Sequence, residues 1–142
     1  MTPRGEQKLI EHEGECLSAY QDSEGWWTIG IGHLIDARKG GRITKRASRI
    51  LFDDDVAFYT ASARANFPWI DHLDAVRQDV IVMLCFNMGV EGLKTFHLMI
   101  AAIEQEQWDQ AAFELFNSLW ARQVQPNRRD ELCNALETGK WT

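Results

Sequence analysis

The chain is expected to adopt an α+β fold, with a small β-containing segment near the N-terminus, a long connecting helix and a helical remainder. Three observations carry this. Residues 26–33 alternate at strand period behind the turn-forming run Asp22-Ser23-Glu24-Gly25. From Thr44 onward, apolar residues recur at helical spacing. The strand signals occupy one stretch and do not alternate with the helices, which separates the pattern from α/β architectures.

The first element is a short helix, with Thr2 suited to its N-cap and Pro3 to its first helical position. At about 100° per residue, Leu9, Ile10, Glu13, Cys16 and Leu17 share one arc, while Glu11 and Glu15 fall opposite. Glu13 is thus a carboxylate within an apolar stripe, where desolvation favours the neutral form that a general acid needs. The plainer alternative is an exposed helical glutamate. In the strand, Trp26, Thr28, Gly30 and Gly32 take one face, and Trp27, Ile29, Ile31 and His33 take the other, expected to be packed. Thr28 then shares its face with two glycines, which leave room for a ligand. Asp22 either nucleates the hairpin turn or supplies a second carboxylate. Inverting cleavage of a glycosidic bond needs a protonated acid at the leaving oxygen and an opposing base that activates water. A helix, a turn and a strand can bring Glu13, Asp22 and Thr28 to one cleft for that purpose.

Thr44 can cap a long helix running to about residue 65, with Ile50, Leu51, Phe52, Val56 and Tyr59 as its apolar side. Phe67-Pro68 interrupts it. Further helices are expected over about 73–87, 95–106, 108–119 and 127–136, with Gly89 and Gly92 punctuating the first connection. Trp108, Phe113, Phe116 and Trp120 are expected in the core. The organisation is one domain over 1–142: an N-terminal lobe of about 12–44, a connecting helix of about 45–65, and a helical lobe of about 66–142 that includes the N-terminal helix. The cleft is expected between the lobes.

At 142 residues and 45% hydrophobic content, the chain is long enough for a core. It has no tandem repeat and no 18-residue apolar run, so no membrane insertion is expected, and no secretory segment is seen. Cys16, Cys85 and Cys133 lie at unrelated spacings, and Cys85 within 80–86 is expected to be a packed thiol. The histidines at 12, 33, 72 and 97 lack metal-ligand spacing, so neither metal nor cofactor is expected. A net charge of −6 opposes nucleic-acid binding.

The run Asp22-Ser23-Glu24-Gly25-Trp26-Trp27-Thr28-Ile29-Gly30-Ile31-Gly32-His33-Leu34 resembles the phage-type lysozymes, the family 24 glycoside hydrolases that include the T-even phage enzyme. Further matches fall at 43–45, 73–77, 86–89, 108–109, Trp120, 126–128 and 138–141, so the resemblance spans nearly the whole chain in order. It implies a lysozyme-like fold and a monomeric muramidase that hydrolyses the bond between N-acetylmuramic acid and N-acetylglucosamine in peptidoglycan. It also implies an endolysin of phage-mediated lysis, made in the host cytoplasm and reaching the wall through a membrane lesion made by a holin. The alternative is a wall-binding or tail-associated structural domain with reduced catalysis.

Carried over by residue, the resemblance makes Glu13 the general acid, Asp22 the second carboxylate and Thr28 a holder of the attacking water. Leu34 and Phe86 match positions lining the saccharide cleft, and Glu24, Gly32 and Asn87 fall near it. Arg128 matches an arginine that pairs with the catalytic glutamate, and His33 with Asp55 matches a buried ion pair. Two departures stand out. The loop 35–42 is short, and Met99 and Glu114 stand where the family has polar, uncharged saccharide contacts. The acidic balance is itself a puzzle, since peptidoglycan is acidic too.

Overall fold

Helix α1 (Pro3–Glu13) leads into an antiparallel sheet of order β1-β2-β3, built from β1 (Cys16–Gln21), β2 (Trp27–Gly30) and β3 (His33–Leu34). The computed structural model describes residues 1, 3–36 and 41–141, so Thr2 and the centre of the 35–42 loop lie outside the described residues. Two compact units emerge, Met1–Ile50 and Leu51–Thr142.

In the first unit, Thr28 pairs with Tyr20 on one side and Leu34 on the other. The expected continuous strand to His33 is instead two strands. Gly30 and Gly32 have φ of 67° and 65°, a left-handed conformation that glycine adopts without strain. The backbone therefore reverses at Ile31-Gly32, and His33 pairs back onto Ile29. Parity counted through that reversal fails. Thr28, expected on the open face, is 5% exposed, whereas Trp27, Ile31 and His33, expected to be packed, are exposed.

Helix α2 (Lys45–Asn66) begins with the N–H of Ala47 donating to Thr44 Oγ1 at 3.1 Å, the expected cap. A 3-10 turn over Pro68–His72 follows it. Then come α3 (Ala75–Lys94), α4 (His97–Glu104), α5 (Trp108–Phe116), α6 (Leu119–Gln123) and α7 (Pro126–Thr138). Gly89 breaks the regular path of α3 with φ 76° and ψ 161°.

The hydrophobic core of the described residues belongs to the second unit. Val80, Ile81, Leu84 and Cys85 of α3 are fully buried there, together with Leu115 and Leu136. Trp120 joins this core, but Phe113 and Phe116 are 60% and 47% exposed, contrary to expectation. Helix α5 buries Ala111, Ala112 and Leu115, and Phe113 lies about 200° around the helix from Ala111. Cys16, Cys85 and Cys133 are free thiols. Burial pushes the thiols of Cys85 and Cys133 up to about 11, which keeps them protonated and unreactive. No described helix is long and apolar enough to cross a membrane.

Candidate active site

Glu13 closes α1, and its side chain is exposed. Its apolar stripe is not buried either: Leu9 is 44% and Leu17 83% exposed. A small helix end has too little protein over it to desolvate the carboxylate, so the expected burial of Glu13 is not found. The carboxylate instead lies across the β2–β3 reversal. A Cβ placed on Gly32 would stand 2.6 Å from Glu13 Oε2 and 3.1 Å from its Cδ. Gly32→Ala is therefore expected to lower stability by about 1–2 kcal/mol through its positive φ. It should also cut activity at least tenfold by displacing Glu13. Thermal melts check the first and turnover assays the second, and unchanged turnover would count against a catalytic role for Glu13.

Asp22 is half-buried and forms the β1–β2 hairpin. Its Oδ1 accepts from the N–H of Glu24 and of Trp26, each at 2.9 Å. The Asp22 N–H donates to Trp26 O, and the Gly25 N–H donates to Asp22 O, both at 2.9 Å. Asp22 therefore nucleates the hairpin turn, the first of its two expected roles. The two side-chain bonds fall on Oδ1, and among the described residues Oδ2 carries none. One oxygen fixes the turn while the other is left to accept from water.

Thr28 Oγ1 donates to Trp26 O at 3.3 Å, which leaves its lone pairs to accept from a water. The strand β2 acts as a ruler here. At ~3.3 Å per residue, Trp26 and Gly30 stand roughly 13 Å apart, with Thr28 midway. Asp22 is fastened at the Trp26 end and Glu13 lies over the Gly32 turn beyond the other. Leu34 is half-buried opposite Thr28, and Glu24 sits exposed in the Asp22 turn. The buried Asp36 accepts from the N–H of Gly41 at 3.0 Å, which closes the short loop at its base.

In the second unit, Phe86, Asn87 and Arg128 line one cavity of about 750 Å³. Phe86 stands 5.1 Å from the ring of Tyr59 and 6.2 Å from that of Phe52. Asn87 Oδ1 accepts from Trp120 Nε1 at 2.6 Å, which fixes the amide. Sequence reasoning missed this tie and Tyr59's part in the aromatic group, although Phe52 and Tyr59 already stood seven apart on one helical face. His33 and Asp55 are both exposed. No described group of His, Cys, Asp and Glu is arranged to hold a metal ion.

The family model described as phage lysozyme matches residues 10–134. The chain belongs to the phage lysozyme family. Probable T4-type lysozyme 1 of Dictyostelium discoideum is 34% identical, over 89% of this chain and 89% of its own length. The pre-baseplate central spike protein Gp5 of Enterobacteria phage T4 is 28% identical over 94% of this chain but only 27% of itself. The endolysin of Salmonella phage P22 is 32% identical over 63% of each chain. This phage lysozyme family member is accordingly a glycoside hydrolase of lysozyme type with an α+β fold, from a family that acts on peptidoglycan.

Proposed function

We propose that the protein hydrolyses the β-1,4 bond between N-acetylmuramic acid and N-acetylglucosamine with inversion. Glu13 protonates the leaving oxygen, and Asp22 takes the proton of a water that Thr28 helps to hold. The observation that carries this reading is the order of the three groups along β2, with Asp22 Oδ1 committed to the turn and Oδ2 left for water. Room for a water between base and sugar is what distinguishes inversion from retention. Leu34 beside Thr28, with Glu24 and Gly32 near it, would contact saccharide in the first unit, and Phe86 with Asn87 would contact saccharide from the cavity they line in the second. Arg128 would supply positive charge to the cavity of the second unit.

Fresh product should be the α-anomer by NMR, and Asp22→Asn should lower turnover by about 10²–10³-fold. Retained β-configuration, or an anhydro sugar terminus, would overturn the mechanism.

The biological reading is a monomeric endolysin that accumulates in the host cytoplasm and reaches the wall after a holin lesion, supported by the similarity to phage endolysins. The spike-protein similarity over 94% of this chain favours a second reading, wall cleavage by a tail-associated copy at entry. Cells expressing the protein should clear only after chloroform if the endolysin reading is right. Recovery of the protein with purified virions and not with the lysate would favour the second.

A further inference from the structure

Positive charge is concentrated in one short stretch of an acidic chain. Residues 41–50 carry Arg42, Lys45, Arg46 and Arg49 and no Asp or Glu. The other 132 residues carry eleven Lys and Arg against twenty-one Asp and Glu. Asp53, Asp54 and Asp55 end the stretch abruptly. The basic run belongs to the first unit, which also carries Glu13, Asp22 and Thr28.

The start of α2 holds these cations together. Thr44 Oγ1 accepts from the N–H of Ala47 at 3.1 Å, and Thr44 O accepts from the N–H of Ser48 at 3.0 Å. At about 100° per residue, Lys45, Arg46 and Arg49 fall within about 100° of arc. Lys45 and Arg49 stand one turn apart, ~6 Å along the axis. All four cationic residues are exposed. Among the described residues no carboxylate pairs with Arg42, Lys45 or Arg46. The first turn of α2 has no acidic residue, so its cations meet the positive end of the helix dipole as well as one another. That repulsion opposes folding, and an external anion relieves it.

The surroundings of the run narrow the choice of anion. Residues 41–50 hold no aromatic side chain on which a nucleic-acid base could stack. An anionic bilayer is a plane, which sets much of an acidic protein against like charge. A flexible polyanion reaches the run alone, screened from more distant carboxylates beyond a Debye length of ~8 Å. Guanidinium forks suit phosphate oxygens, which they bind in bidentate fashion.

We propose that Arg42, Lys45, Arg46 and Arg49 form a docking surface for a phosphodiester polymer attached to the wall, a chain of polyol phosphates with one negative charge per repeat. Neighbouring phosphates of such a chain can span the one-turn distance between Lys45 and Arg49. The attachment to the wall rests on the muramidase reading, whereas the phosphate recognition does not. Docking here holds the unit with Glu13, Asp22 and Thr28 at the wall despite a net charge of −6.

Titration of the full chain with poly(glycerol phosphate), at about 50 and about 200 mM salt, tests this. Binding should weaken as salt rises. Arg42→Gln/Lys45→Gln/Arg46→Gln should bind at least about tenfold more weakly, with a log–log salt slope shallower by about two. Arg4→Gln/Arg122→Gln/Lys140→Gln removes the same charge from exposed positions elsewhere and should bind within about twofold of wild type. The charge-preserving Arg42→Lys/Lys45→Arg/Arg46→Lys should bind within about threefold of wild type. In thermal melts the polymer should raise the wild-type Tm and leave that of the first variant unmoved. Absence of polymer binding, or equal weakening by the two glutamine variants, would overturn the proposal. So would tighter binding, at equal phosphate concentration, to phosphatidylglycerol vesicles or to oligothymidine. A wild type that binds the polymer but cleaves no wall preparation would defeat the muramidase reading alone.

Discussion

Glu13→Gln is expected to lower wall hydrolysis by about 10³-fold or more while the fold survives. The amide is nearly isosteric with the carboxyl, so the contact over Gly32 persists, but it has no acidic proton to give to the leaving oxygen. Because Glu13 is exposed in the free protein, desolvation must come from a bound saccharide stripping its water. Glu11→Gln is the matched control, since Glu11 meets Lys8 at 2.5 Å on the outer face of α1. Thermal melts of both variants should stay within about 0.5 kcal/mol of wild type. Full activity in Glu13→Gln, or loss in Glu11→Gln alone, would remove Glu13 from the chemistry.

Much of the architecture was legible because its signals are local. Pro3 at a helix start, Thr44 as a cap and Phe67-Pro68 as a stop are fixed by backbone chemistry within a few residues. The Asp22 turn was legible for the same reason. Strand parity was not, because two residues with left-handed φ, Gly30 and Gly32, turn the chain where alternation alone continues it. Nor did helical spacing tell Phe113 from Trp120, since it gives a face but not what covers the face. The tie between Asn87 and Trp120 spans 33 residues and leaves no mark on local pattern. In the candidate site, the residue types at 13, 22 and 28 were legible. The division of labour between the two Asp22 oxygens required the hairpin itself.

The largest stability effect is expected from Arg77→Met, a loss of about 3 kcal/mol, which for a chain of this size lowers Tm by roughly 10 °C. The Arg77 side chain is 12% exposed and joins three elements. Its Nε donates to Leu136 O at 2.7 Å and Nη2 to Glu137 O at 2.6 Å, which satisfies carbonyls at the C-terminal end of α7. Its Nη1 donates to Asp74 Oδ2 at 2.7 Å, while Asp74 Oδ1 accepts from the Arg77 N–H at 3.1 Å and caps α3. The guanidinium also lies 4.0 Å from the centre of the Trp108 ring. Gly139 makes room for it, since a Cβ there would come within 2.7 Å of Nη1. Burial raises the Asp74 carboxyl, but the bonds and charge of Arg77 outweigh it and hold the group below its ordinary range. A depressed carboxylate contributes stability above the unfolded aspartate pKa and loses it as pH falls through the folded value. The bonds to the α7 carbonyls do not titrate. Urea unfolding should therefore show a wild-type advantage over Arg77→Met that shrinks below the ordinary aspartate range without vanishing. Asp74→Ala should lose only about 1 kcal/mol at neutral pH, the usual cost of an N-cap. Equal losses from the two variants, or a wild-type advantage that disappears in acid, would show that Arg77 acts through Asp74 alone and not as the clamp on α7.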